Sequence, residues 1–125
     1  MDKKICLDSD ISIEILKNTE KGINFLNLIE KDQVYITTIS IFELCLREKN
    51  LSHIEELLSR VNILDFSEVS AKKSSEILRN LKSRGEMIDI RDLFIASTAI
   101  VNDCVLATLN KKHFKNIKEL KIISV

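Results

Sequence analysis

Apolar residues fall along this chain in two patterns, short unbroken runs and stripes spaced by three and four. Ile5, Cys6 and Leu7 make the first run, apolar on both faces and too short for a helix, which predicts an interior strand. Ile11, Ile13, Ile15 and Leu16 follow as a short helix that Ser9 or Asp10 can cap. A second helical stripe is carried by Ile23, Phe25, Leu26, Leu28 and Ile29. The β-rich stretch Val34, Tyr35, Ile36, Thr37 predicts the second strand. Helical spacing returns over residues 40–48 and again at Leu51, Ile54, Leu57 and Leu58. Residues 61–66 read as a third strand, and 67–84 as a long helix with Gly85 as its natural C-terminal stop. Asp89 then caps a helix bearing Leu93, Phe94, Ala96 and Ile100, before strands at 105–108 and 121–125. Strands alternating with helices predict a parallel sheet covered on both faces, an α/β fold.

Composition narrows the picture. The 125 residues suit one domain, 1–125, with 45% apolar and 30% charged residues, no proline and only two glycines. The chain is therefore mostly regular structure with short connections. Nineteen basic and nineteen acidic residues cancel, so binding nucleic acid through bulk positive charge is excluded and local patches must serve. No apolar run approaches the roughly 20 residues that span a bilayer. The opening Met1-Asp2-Lys3-Lys4 leads into only three apolar residues, too few for a secretory signal. Cys6, Cys45 and Cys104 sit in apolar strings without a CxxC pair and read as buried hydrophobes in a reducing compartment. A cytoplasmic protein without a membrane role is expected.

Candidate chemistry comes from the acids. In open parallel sheets, ligands bind beyond the carboxyl ends of strands. Asp8 ends the first strand, Glu43 is expected in the first turn of the helix after the second, and Asp92 in the first turn of the helix leading to the fourth. These three carboxylates can meet at one edge, and grouped hard oxygens suit Mg²⁺ or Mn²⁺. Simpler roles compete. Asp10 can cap its helix. Glu43 stands four residues before Arg47, an ion pair worth about 0.2–0.5 kcal/mol. Asp92, three residues after Asp89, can complement the positive helix end. Asp8 is the exception, since the last position of a strand needs no cap and a carboxylate buried there is costly.

Taken together, these segments resemble PIN-domain ribonucleases: Asp8 in CLDSDI, Glu43 in TTISIFEL, Asp92 in IDIRDLFIASTAI, and VLATLNKKHF at residues 105–114. The likeness runs over nearly the whole chain and is strongest to the small toxins of VapC type, which pair with an antitoxin. It implies a three-layer α/β/α sandwich with a central parallel sheet of about five strands, metal-dependent endonucleolytic cleavage of RNA, and a homodimer. It also implies that Asp8, Glu43 and Asp92 bind the metal and carry catalysis, and that Ser9 is the small hydroxyl residue that commonly follows the first acid. Many relatives place a fourth acid in the turn after the fourth strand. Here that turn offers Asn110 and His113, with no acid before Glu119, so Asp10 or Asp89 are the candidates to compensate.

Lys111, Lys112 and Lys115, with Arg91 and His113, form a candidate patch for RNA phosphates. His53 is expected on the surface, and Tyr35 and Phe42 in the core. Two rival readings stand beside the nuclease. Asp8-Ser9-Asp10-Ile11-Ser12 is close to the opening motif of haloacid-dehalogenase-type phosphatases, with Asp8 as nucleophile and Asp10 as general acid–base, although Ser12 departs from it. The missing fourth acid also permits a PIN-like binding module with a spent site.

Overall fold

In the computed structural model, which describes residues 3–125, the first apolar run forms strand β1 (Lys4–Leu7) and passes without a loop residue beyond Asp8 into helix α1 (Ser9–Leu16). Helix α2 (Glu20–Leu28) leads to β2 (Gln33–Thr37), followed by α3 (Thr38–Arg47), α4 (Leu51–Leu58) and the short β3 (Asn62–Leu64). Then come α5 (Glu68–Ser83), α6 (Ile90–Val101), β4 (Val105–Thr108), a 3₁₀ turn (Lys111–Phe114) and β5 (Ile122–Ser124). The five strands are all parallel, in the order β3-β2-β1-β4-β5. The chain thus winds outward in one direction from β1 to β3 and in the other from β4 to β5. The switch lies between β1 and β4, where the carboxyl ends of neighbouring strands leave a crevice.

Alternation along the strands divides the core. Ile5, Leu7, Ile36 and Ala107 pack on one face with α1 and α2 and the apolar stripes of α3 and α4. Cys6 and Leu106 pack on the other with α5 and α6, including Leu81, Leu93 and Ile95. This is the expected α/β/α sandwich. Polar caps begin the helices: Thr37 accepts from Ser40 N–H and Ser67 from Ser70 N–H. At the far end of α5, Gly85 takes φ +70°. Its N–H reaches the Lys82 carbonyl at 3.0 Å while Glu86 N–H reaches Leu81 at 2.9 Å, closing the helix as expected.

Gly22 has a different purpose. A Cβ there would drive into the Glu14 carbonyl and come within 2.8 Å of Ile15 N, both backbone groups of α1 that cannot swing aside. Gly22 therefore sets the close approach of α2 to α1. Gly22→Ala is expected to lower stability by about 1–3 kcal/mol, the ordinary cost of forcing extra volume into packed structure. An unchanged denaturant midpoint would show that the two helices can part at no cost.

Several expectations change. The third strand spans Asn62–Leu64 rather than 61–66, because Ser67 already caps α5, and the fifth is trimmed to Ile122–Ser124. Helix α3 starts at Thr38, not residue 40, because Thr37 caps it; Glu43 therefore lies in the second turn. Cys45 is exposed, while Cys6 and Cys104 are buried and burial pushes both thiols up. Phe42 is 53% exposed rather than in the core, since α3 turns its Leu44 stripe to the sheet and Phe42 away from it. Tyr35 does pack against the α5–α6 side, and His53 is exposed as expected. No described helix is long and apolar enough to cross a membrane.

Candidate active site

The candidate acids lie beyond the carboxyl ends of β1 and β4. Asp8 is at once the residue after β1 and the N-cap of α1, with extended backbone (φ −73°, ψ 161°). That corrects the assumption that a strand-end acid has no cap to make: with no loop between the elements, one residue does both. Its Oδ1 accepts from Ser9 N–H at 2.9 Å and its Oδ2 from the Thr108 hydroxyl at 2.8 Å, reaching across to the end of β4. Ser9 is buried and contributes this backbone N–H. Thr108 went unnoticed in the sequence, although a hydroxyl residue closing an apolar strand is a readable signal.

Burial pushes the Asp8 carboxyl up to about 7, with the charge of Asp10 next in importance and Asp92 adding to it, against the hydrogen bonds from Thr108 and Ser9. Asp92, in the first turn of α6, is raised to about 6, first by burial and then by Asp89 and Glu43, while His113 and Arg91 pull it down. The three candidate acids thus sit close enough for Asp92 to bear on Asp8 and Glu43 on Asp92. Among the described residues, however, no three His, Cys, Asp or Glu side chains are gathered tightly enough to enclose an ion as they stand. Protein donors hold Asp8 instead, while Glu43 and Asp92 each have a charged or titratable neighbour at ion-pair distance.

Glu43 Oε2 lies 3.7 Å from Arg91 Nη1, so its partner is Arg91 on α6 and not Arg47, the pair expected along α3. Asp92 Oδ2 lies 3.5 Å from His113 Nδ1. Glu43 Oε1 is sealed from solvent and receives no donor among the described residues. A buried carboxylate oxygen without a partner is costly and rare. An orphaned hard oxygen, beside two carboxyls whose burial and mutual repulsion resist ionisation, is a donor set that a divalent cation satisfies.

The remaining candidates separate. Asp89 caps α6 through Arg91 N–H at 2.9 Å and is 4.0 Å from Arg91 Nε. Asp10 is not the cap of α1; its carboxylate meets the turn after β4 and accepts from Asn110 Nδ2 at 2.8 Å. Arg91 is engaged by Glu43 and Asp89. Lys111, Lys112 and His113 stand exposed on the 3₁₀ turn, with Lys115 exposed just beyond it.

Comparison with known proteins places this geometry. Residues 5–120 match the model of the PIN domain. The chain is 34% identical to the ribonuclease VapC2 of Rickettsia felis, covering 91% of this chain and 92% of that protein. It is 36% identical to the ribonuclease VapC1 of Methanocaldococcus jannaschii, over 94% of this chain and 84% of the relative. Its fold matches the crystal structure of Rickettsia felis VapBC2 bound to promoter DNA with a TM-score of 0.87, at 29% identity and 98% coverage of both chains. The chain belongs to the PIN-domain family, in its VapC branch.

Proposed function

We propose that this chain is a Mg²⁺- or Mn²⁺-dependent endoribonuclease and the toxin of a toxin–antitoxin pair, with Asp8, Glu43 and Asp92 holding the cation. The observation that carries the site is the sealed, unpartnered Oε1 of Glu43 beside Asp92, at the strand edge where Asp8 lies. The relatives named as VapC ribonucleases support the activity, and the VapBC2 complex supports a protein partner.

A bound divalent cation supplies a Lewis acid that lowers the pKa of an attacking water and neutralises charge on the scissile phosphate. The chain's own part is orientation. Ser9 N–H and the Thr108 hydroxyl fix both oxygens of Asp8, so the central carboxylate is set before any ligand arrives. Arg91 steadies Glu43, and His113 faces Asp92 at the solvent side, where it can also meet substrate. Lys111, Lys112 and Lys115, exposed beside the acids, are placed to meet RNA phosphates, and Arg91 would be available to phosphate where a cation takes its place at Glu43. A labelled RNA incubated with the protein is expected to be cut internally in Mn²⁺ and left whole in EDTA. Cleavage undiminished in EDTA would refute metal dependence.

The family's partners find support on the surface. Ile23, Leu26 and Leu28 of α2, Phe42 and Leu46 of α3, and Leu51 of α4 are exposed, more apolar surface than solitary side chains explain. Leu16, Leu26, Leu57 and Val61 line a crevice of about 280 Å³ between α1, α2 and α4, suited to an apolar segment of an antitoxin. The protein is expected to sediment as a homodimer at micromolar concentration. A monomer would reassign the apolar surface to the antitoxin alone.

A further inference from the structure

Asp10 draws an unusual number of donors for a half-buried carboxylate. Oδ1 accepts from Ile11 N–H at 2.6 Å, and Oδ2 faces Asn110 Nδ2 at 2.8 Å, Leu109 N–H at 3.2 Å and the Thr108 hydroxyl at 3.2 Å. The last three belong to the end of β4 and the turn after it, about a hundred residues away in the chain. Thr108 has one proton to give and two carboxylates before it, Asp8 and Asp10, while its oxygen accepts from Asn110 N–H at 3.0 Å.

We propose that Asp10 is a positioning residue of this site and Asn110 its dedicated partner: the pair ties the first turn of α1 to the turn after β4, and so holds the Thr108 hydroxyl on Asp8. The identities at the two positions are then coupled. A carboxylate only accepts, and every polar hydrogen facing Asp10 is a donor. An amide at position 10 must turn its own NH₂ either on Ile11 N–H or on the donors of the turn, leaving one of them without an acceptor. A carboxylate at position 110 would meet that of Asp10 at hydrogen-bonding distance, two like charges in one place. With Asp10 present the turn has to donate, and the Asn110 amide does so. Asp10 acts through Thr108 and Asn110 and is not itself a ligand of the cation.

The test uses the full chain as wild type, Asp10→Asn, Asn110→Asp and the double exchange. Melting is first measured in EDTA at pH 8, which needs no activity and does not depend on the proposed function. Asp10→Asn is expected to lower the melting temperature of the wild type by roughly a few degrees, the loss of one part-buried hydrogen bond outweighing the relief of its repulsion with Asp8, a relief that is common to both backgrounds. The same substitution made on Asn110→Asp is expected to raise it, because an amide–carboxylate pair replaces two carboxylates. If Asn110→Asp alone does not fold, recovery of a cooperative transition in the double exchange reads the same sign. An equal effect of Asp10→Asn in both backgrounds would overturn the pairing. The positioning role, which does rest on the proposed metal site, is read by calorimetric titration with Mn²⁺ alone. Asp10→Asn is expected to weaken binding about tenfold, as loss of an orienting partner does, with partial recovery in the double exchange. Unchanged affinity would reduce the pair to a structural tie, and binding lost as fully as in Asp8→Asn would make Asp10 a ligand; either overturns the proposal. If the wild type binds no Mn²⁺, it is the metal site that fails, while the melting series still decides the pairing.

Discussion

Asp8→Asn is expected to abolish metal-dependent RNA cleavage, by on the order of a thousandfold or more, while the fold survives. The substitution removes a charge and almost nothing else. The amide oxygen keeps Ser9 N–H, the bond that caps α1. The Thr108 hydroxyl can rotate to accept from the new NH₂ and donate to Asp10, which already lies 3.2 Å away. No buried polar group is left stranded, so the change should not unfold the protein. Glu43→Gln and Asp92→Asn are expected to fall in the same range, and the combined variants scarcely lower, because members of one cluster fail together. Single-turnover cleavage of a labelled RNA, with circular dichroism as the control for folding, measures all of these. Full activity in Asp8→Asn would remove Asp8 from the mechanism.

Without metal, the same substitution should make the protein more stable at pH 8. The Asp8 carboxyl is raised from an ordinary 3.8 to about 7 and Asp92 from 3.8 to about 6, burial being the leading cause for each. Between the ordinary and the raised value, the folded chain holds a proton that the unfolded chain has released, so stability falls as pH rises. That contribution is whole below about 3.8 and is lost as pH passes through about 6 for Asp92 and about 7 for Asp8. At pH 8 the wild type in EDTA carries the full cost of ionised Asp8, whereas an amide at that position carries none. The gain from Asp8→Asn should be on the order of 2 kcal/mol, less than the full shift implies because a charged site relaxes and takes up water. It should shrink as pH drops below about 7 and vanish near pH 4. Urea unfolding of both proteins across that range reads the difference, and equal stability at pH 8 would mean that Asp8 ionises there at no cost.

How much of this was legible beforehand depended on which force set each feature. Ile5, Cys6 and Leu7 announced β1 because a strand buried on both faces has to be apolar throughout, and Gly85 announced the end of α5 because few other residues accept its positive φ. Asp8, Glu43 and Asp92 could be expected at one edge from the rule that parallel sheets bind ligands beyond their carboxyl ends. What escaped was contact made across the sheet. Arg91 reaching Glu43, and Thr108 and Asn110 reaching Asp8 and Asp10, join positions up to a hundred residues apart, and no local spacing records them. Phe42 and Cys45 were misjudged for a related reason. Apolar residues around the α3 helix do not say which side is covered, and the sheet covers only the side bearing Leu44. Gly22 carries no local signal, because its constraint comes from the backbone of α1 packed against it.

The metal site itself is tested most directly by the melting temperature of wild type and Asp8→Asn at pH 8, in EDTA and in millimolar Mn²⁺. A ligand that binds only the folded state stabilises it by about 2.7 kcal/mol at a hundredfold excess over Kd, on the order of 10 °C for a chain of this size. A cation held by Asp8, Glu43 and Asp92 predicts a rise of that order in the wild type and none in Asp8→Asn. It also predicts a diminished but persistent rise in Asp10→Asn. A wild type that melts at the same temperature with and without Mn²⁺ would contradict the site and return Asp8 to the cap of α1, in a PIN fold whose nuclease centre is spent.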